Sequence, residues 1–509
     1  MKQIDINSAD LIGLLYEQSE GKINNCSIEI INYCPFKCDF CYIPKDSRNH
    51  LPYKKIKKIL DELLKLDCLS ILFTGGEILL HPEFKKIYLY AWNKGFRIGL
   101  NTNGYLFNEE WLEFFDEYKP KTIEISIYGY NNKTYHQFTH VKDSFPKVEK
   151  TLNLLKNCDI KTTLKSLLTK QNYSYFDKLV KYAKSKGLLF RWDFVVFPVI
   201  NNSHHSCNDF RVEADRAVDI LFSYHDIKKY FATKVFEMGI PLLSNNKVFQ
   251  CSGGKDSIHI DAKGNIRMCL CVPNKELNIN NNTITESLIY FENFKRMPFS
   301  KESKCKDCYK KGVCRYCPGR FYLETGDYNC NVEWYCDIAN GIIRKVRKKT
   351  LKGLYLDNLK KRQKLVQAMY KIIINNIKKT NVDFNEKEDD YKKWFHNITT
   401  NKDLRTIVLL DRTKVCAYLQ YIILGDNYFI CEIQVDDIYQ GDGITFRKLI
   451  GEFIKNSRIS ANASVLGNIN PNNLKSITVF SKMGFKRTNK NNYHIGGNKL
   501  LEWFYGKKL

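Results

Sequence analysis

Between Ile28 and Val196, short apolar runs alternate with longer stretches whose apolar residues recur every three or four positions. The short runs predict strands over 27–31, 69–73, 97–101, 122–127, 161–168 and 190–196. The longer stretches predict helices over 53–66, 82–94, 108–118, 146–156 and 173–186. Six strand–helix units in series imply an α/β fold with a parallel sheet, joined by right-handed crossovers. Beyond residue 341 the pattern changes. Residues 342–379 are basic, hold no proline and predict mostly helical chain. Strand-like runs at 405–410, 415–423 and 428–435, with turns at 411–413 and 425–427, predict an antiparallel set. Gln440-Gly441-Asp442-Gly443-Ile444-Thr445 then opens an amphipathic helix ending near Lys455.

Composition narrows the setting. The chain has 509 residues, enough for two to four domains with real cores. It holds no apolar run of roughly eighteen residues, so no membrane span is expected. Its first ten residues are polar and mixed, unlike a secretory signal. Its 18 cysteines gather in closely spaced sets, which suggests metal in a reducing compartment, the cytoplasm. The net charge of +25 could attract nucleic acid or an acidic peptide, but the lysines are scattered, apart from runs such as 344–352.

Cys34, Cys38 and Cys41 follow the first strand as C-P-F-K-C-D-F-C. Soft thiolates select iron–sulfur clusters or zinc. Zinc prefers a closed set of four ligands, whereas three cysteines can hold three irons of a four-iron cluster and leave the fourth open. Thr74-Gly75-Gly76-Glu77 ends the second strand. Together these motifs resemble those of the radical SAM enzymes. The resemblance implies a partial (β/α)6 barrel and a [4Fe–4S] cluster that binds S-adenosyl-L-methionine. When reduced, that cluster cleaves the cofactor to a 5′-deoxyadenosyl radical, which abstracts hydrogen from substrate. It further implies that Gly75, Gly76 and Glu77 meet the methionine amino group, and that Asn103 and Ser126 lie near the methionine or ribose. The family often has an arginine near 139–143 for the carboxylate. This chain has Thr139, His140 and Lys142 there, and Lys165 is a candidate substitute. The polar loop 201–209, with His204, His205 and Cys207, reads as structural.

A second cysteine region begins at Cys251, followed by Gly264, Cys269 and Cys271. Cys305, Cys308, Cys314 and Cys317 follow as C-x2-C-x5-C-x2-C, and Cys330 and Cys336 close the set. The pattern resembles the SPASM extension, with its last spacer one residue short. That resemblance implies two auxiliary [4Fe–4S] clusters. Cys305, Cys308, Cys314 and Cys336 would hold the outer one, and Cys251, Cys269 and Cys317 the inner one. The inner cluster's fourth ligand is Cys271 or an open site.

The glycine-rich turn at 440–445 could cradle an anion on backbone N–H groups. With Asn472-Asn473 and the segment 476–485, it resembles the GNAT acetyltransferases. The resemblance implies acetyl-CoA bound at Gln440, Gly441, Asp442, Gly443, Ile444, Thr445 and Asn473, with Glu432 as the base. Thr445 stands where the family has Gly or Ala, and Phe480 where it commonly has a tyrosine acid. The expected organisation is a radical SAM core over 1–235, a SPASM domain over 236–345, a helical linker over 346–364 and a GNAT-like domain over 365–509. The expected activity is modification of a ribosomally made precursor peptide, with an N-acetyltransferase fused to it. A reductase or flavodoxin-type protein would donate electrons, and neither nucleic acid nor membrane would be a partner. The alternatives are an Elongator-like tRNA-modifying enzyme, and a GNAT-like domain that only binds peptide.

Overall fold

In a computed structural model of the chain, the described residues are 23–43, 48–196, 198, 207–237, 246–273, 276–356, 359, 362–380, 389–442, 444–460, 462–469, 473–489, 492–497 and 499–500. His204, His205, Gly443 and Asn472 lie outside them. The chain forms two compact units.

The first unit holds residues 1–217, 241–311 and 315–336, so most of the second cysteine region clusters with the barrel. Its sheet contains β1 (Asn25–Ile31), β2 (Ser70–Gly75), β3 (Arg97–Thr102), β4 (Thr122–Ser126), β5 (Thr162–Leu167) and β6 (Leu189–Asp193). All six are parallel and lie in sequence order, which is the expected α/β architecture. β7 (Ser257–Ile260) pairs parallel with β1, and β8 (Ile266–Arg267) turns back against β7. The helices form where apolar spacing matches the helical period. Tyr53–Lys65 buries Ile56, Ile59, Leu60 and Leu63, each contributing about 1.5–3 kcal/mol of hydrophobic stabilisation. Glu109–Glu117 is started by Asn108, whose side chain accepts from the Trp111 N–H at 3.1 Å.

A helix at Asn132–Thr139, which the apolar pattern does not announce, is set by an Asn131–Thr134 capping box. It ends at His140, whose φ of 53° is left-handed.

The second unit holds residues 218–240, 312–314 and 337–509. Its strands are β9 (Leu351–Leu356), β10 (Arg405–Asp411), β11 (Lys414–Leu424), β12 (Asn427–Val435), β13 (Ser464–Asn468), β14 (Lys486–Arg487) and β15 (Asn492–Gly496). They form one sheet in the order β14-β15-β13-β12-β11-β10-β9, antiparallel except for the β12–β13 pair. The expected helical linker 346–364 instead contains β9, antiparallel to β10. The helix Thr445–Ser457 lays its Glu452 side chain over Gly353 of that strand, where a Cβ would stand 2.5 Å from it. Val366, Met369 and Ile372 of the helix Gln363–Thr380 pack with Val408, Val415 and Tyr418 of the sheet.

Candidate functional site

Cys34, Cys38 and Cys41 lie on the loop that leaves the C-terminal end of β1, and all three are half-buried. The residues between them hold the loop. Phe36 packs against Tyr105 and Tyr135, and Phe40 against Tyr128 and Phe138. Asp39 accepts from Gln171 Nε2 at 3.0 Å and pairs with His140 Nε2 at 2.9 Å. The Lys37 N–H donates to the Thr139 carbonyl at 2.8 Å. Sequence reasoning missed these anchors. The alternation of Cys with Phe and Asp inside the motif was the available signal.

Asn103 Nδ2 donates to Cys34 Sγ at 3.3 Å, so this residue holds the first cysteine's sulfur in place. Burial, with the Glu77 carboxylate nearby, pushes the Cys34 thiol up to about 12. Tyr128 stands within electrostatic range of all three cysteines, and its hydroxyl hydrogen-bonds to Ser126.

Gly75 and Gly76 are required by the chain's own backbone. A Cβ on Gly75 would stand 2.0 Å from the Ile31 carbonyl oxygen, and one on Gly76 would stand 2.1 Å from that of Tyr33. Gly75 also has a φ of 138°. The turn is pinned by the Gly76 N–H donating to Ile31 at 2.7 Å and the Glu77 N–H to Tyr33 at 2.9 Å. The Glu77 side chain is fully buried. Its carboxylate accepts from Thr102 Oγ1 (2.7 Å), the Asn103 N–H (2.7 Å) and the Leu79 N–H (3.2 Å). Burial raises its pKa, and those three bonds pull it back. Glu77 therefore ties the end of β2 to the end of β3.

Lys165 is engaged elsewhere. It pairs with Glu124 and donates to Asn101 Oδ1 at 3.0 Å, while Arg191 reaches the same Glu124 at 2.6 Å.

In the second cysteine region, Cys305 lies within electrostatic range of Cys308 and Cys336. The Cys271 thiol is within hydrogen-bonding reach of Cys269 and Cys317, and Cys251 lies near Cys269 and Cys317. Among the described residues, no three His, Cys, Asp or Glu side chains converge as ligands of a single ion. A four-iron cluster asks for something different, because each thiolate meets its own iron. Both cysteine sets fit that demand in donor chemistry.

In the second unit, β12 pairs with β13 only over Asn427–Ile430 and then runs on to Val435. Glu432 lies on this stretch, which is paired with β11 and no longer with β13. Burial raises its pKa, against the hydrogen bond that Gln434 Nε2 donates to its carboxylate at 3.3 Å. Gln434 Oε1 accepts from Asn376 at 2.8 Å, and Asn376 Oδ1 from Gln440 at 3.1 Å, so a polar chain runs from Glu432 to the Gly441 turn.

At that turn the Ile444 and Thr445 N–H groups already donate to Asp442 Oδ1, at 2.9 and 2.8 Å. Asp442 is fixed in turn by buried Arg347 at 2.6 Å. The anion cradle expected there is filled by the chain's own carboxylate. Asn473 caps the helix Leu474–Lys482 by accepting from the Ser476 N–H at 3.1 Å. Phe480 is core, packed on Phe485.

No helix among the described residues is long and apolar enough to cross a membrane.

Residues 28–183 match the Radical SAM superfamily. Among curated relatives, the chain is 24% identical over 334 residues to the AdoMet-dependent heme synthase of Methanosarcina barkeri, covering 60% of this chain and 94% of that protein. It is 26% identical over 272 residues to the antilisterial bacteriocin subtilosin biosynthesis protein AlbA of Bacillus subtilis, covering 50% of this chain and 57% of AlbA. Among solved structures, native anSMEcpe with bound AdoMet and Cp18Cys peptide aligns with a TM-score of 0.51 at 18% identity, over 64% of this chain and 97% of that one. That likeness concerns the fold. Three thiols at the C-terminal ends of a parallel sheet, the Gly75–Gly76 turn beside them and the family match agree: residues 28–183 of this chain are a radical SAM domain.

Proposed function

We propose that the chain is a radical SAM enzyme that modifies a precursor peptide, with two auxiliary [4Fe–4S] clusters held by its second cysteine region. The observation that carries the reading is the pair of separate cysteine sets, one of three thiols and one larger, which apart from Cys314 belong to one compact unit. Cys34, Cys38 and Cys41 would hold a cluster that, reduced and with S-adenosyl-L-methionine bound, would supply a 5′-deoxyadenosyl radical. The protein's own contribution is positional. Asn103 orients the Cys34 thiolate, Glu77 locks the turn that the cofactor's amino group would meet, and Ser126 and Tyr128 line the neighbouring strand end. A reductase or flavodoxin-type protein would deliver the electron.

The peptide class is supported by the relative named for subtilosin biosynthesis. A second reading, an iron-tetrapyrrole substrate, is favoured by the relatives named heme synthase, one of which the chain covers over 94% of its length. The assay is 5′-deoxyadenosine release with a precursor peptide encoded beside the gene, against iron-coproporphyrin. Turnover with the tetrapyrrole alone defeats the peptide reading.

For the C-terminal unit, the end of β12–β13 pairing at Ile430 and the raised pKa of Glu432 favour an acetyl-CoA-dependent N-acetyltransferase resembling GNAT enzymes. The Asp442 carboxylate on the Ile444 and Thr445 amides, and Phe480 in the core, favour a peptide-binding module on the same fold. As the turn stands it does not fit a pyrophosphate, because the Asp442 carboxylate occupies the Ile444 and Thr445 N–H groups. Calorimetry with acetyl-CoA on the full chain separates the two readings.

A further inference from the structure

We propose that Cys271 is the fourth thiolate of the inner auxiliary cluster, so that Cys251, Cys269, Cys271 and Cys317 close all four of its irons. The proposal rests on the auxiliary-cluster reading above and goes beyond it by fixing what that cluster can do.

Two glycines bring the cysteines together. A Cβ on Gly253 would stand 3.4 Å from the Cys269 Cβ and 3.7 Å from the Cys251 Sγ, so those two side chains meet over this glycine. A Cβ on Gly319 would stand 3.0 Å from the Cys271 carbonyl oxygen and 3.1 Å from the Cys271 Cβ. The helix Pro318–Thr325 therefore approaches Cys271 at a distance that a side chain at 319 would obstruct. Cys317 is the residue just before that helix, and its thiol is in hydrogen-bonding reach of Cys271. Cys269 and Cys271 are two residues apart, just after β8, and are in reach of each other. The four thiols thus form one connected group. The spare cysteine of the region is directed elsewhere. Cys330 is exposed and its thiol donates to Asp327 Oδ2 at 3.4 Å.

Arg320 supplies a second, independent observation. Its guanidinium hydrogen-bonds to Cys317 and lies near Cys271. It is held in place by donating to the Arg315 carbonyl at 2.9 Å, with its carbon 5.5 Å from the Tyr335 ring centroid. A cluster on four thiolates carries net negative charge, and a fixed cation beside two of the sulfurs offsets the cost of holding that charge away from water. An arginine fixed beside uncharged thiols would have no such partner.

The consequence is functional. A cluster with four protein thiolates has no iron free for substrate or small ligands, so its part is confined to passing electrons. Substrate would then meet the protein without an iron contact at this cluster.

The test uses the full chain with Cys34, Cys38 and Cys41 replaced by Ala, which removes the one cluster expected to have an open iron. This parent is reconstituted anaerobically, reduced with dithionite, and examined by electron paramagnetic resonance with and without cyanide. The expected result is a spectrum that cyanide leaves unchanged. Adding Cys271→Ala should either create a cyanide-shifted signal or remove roughly four irons per chain, while adding Cys330→Ala should match the parent. Cyanide binding by the parent overturns the proposal alone, and needs no change at Cys271. A Cys271→Ala variant that keeps its iron and still ignores cyanide also overturns it. A parent that takes up zinc and no sulfide overturns it together with the auxiliary-cluster reading.

Discussion

Gly75 and Gly76 sit where any side chain would collide with the backbone of β1 and the cysteine loop. Gly76→Ala should therefore act on the cluster without touching it. The Tyr33 carbonyl must move, and the loop bearing Cys34 moves with it. Iron bound per chain after reconstitution should fall several-fold, and far-ultraviolet circular dichroism checks that the barrel remains. Glu77 gives a second test. Thr102→Val removes a 2.7 Å bond to its buried carboxylate and should cost about 1–2 kcal/mol at pH 8. The sign with pH follows from burial, which raises the folded-state pKa of Glu77. Such a group lowers stability as pH rises from its unfolded value through its folded one. Losing the hydroxyl raises the folded value further, so the deficit should shrink toward pH 5, as read from urea midpoints. The presence of this site was legible in Cys34, Cys38, Cys41 and the Gly75–Gly76–Glu77 turn, because those spacings carry the chemistry. The work each residue does was less legible. That Gly75 and Gly76 are also required by backbone packing was not legible, since a close approach between distant segments leaves no local pattern.

At the scale of elements, the first six strands were legible because each is a short apolar run bounded by polar turns. β9 was not. Its sequence, Leu351–Leu356, continues a basic stretch with no proline, and only pairing with β10 makes it a strand. Tertiary pairing overrode the local signal. The helix Asn132–Thr139 escaped for the opposite reason, since its start is set by a polar capping box. The β12 edge and the Asp442 turn decide the role of the second unit. Asp442→Ala would free the Ile444 and Thr445 N–H groups and leave buried Arg347 without this carboxylate. Breaking a buried pair costs roughly 3–5 kcal/mol, so the thermal midpoint of this unit should drop. If the turn is a pyrophosphate cradle, acetyl-CoA should bind the variant at least tenfold more tightly than the parent, despite that loss. Unchanged absence of binding in calorimetry would leave peptide recognition as the unit's role.

For the whole molecule, the cysteines make a countable prediction. On the proposed reading Cys34, Cys38 and Cys41 would serve one cluster and the second region two, so anaerobic reconstitution should give about three four-iron clusters per chain. Replacing the first three cysteines by Ala should remove about one of them and all cleavage of S-adenosyl-L-methionine, and iron and sulfide analysis reads both numbers. A native protein with a single cluster would defeat the auxiliary sets. The same preparation decides the substrate class. The net charge of +25 would suit an acidic peptide, an iron-tetrapyrrole with its carboxylates or tRNA, so charge alone does not choose. Electron-removing clusters suit a substrate radical that must be oxidised after hydrogen abstraction, and a peptide offers such positions at its α- and β-carbons. Incubated with each candidate in turn, the enzyme should release 5′-deoxyadenosine in step with a mass loss of about 2 Da per modified site in the peptide, the two hydrogens removed by oxidation. This follows because one hydrogen leaves to the radical and the second as a proton once the electron has passed on. Release with tRNA and a modified uridine would favour the Elongator-like reading, and release only with iron-coproporphyrin the tetrapyrrole one.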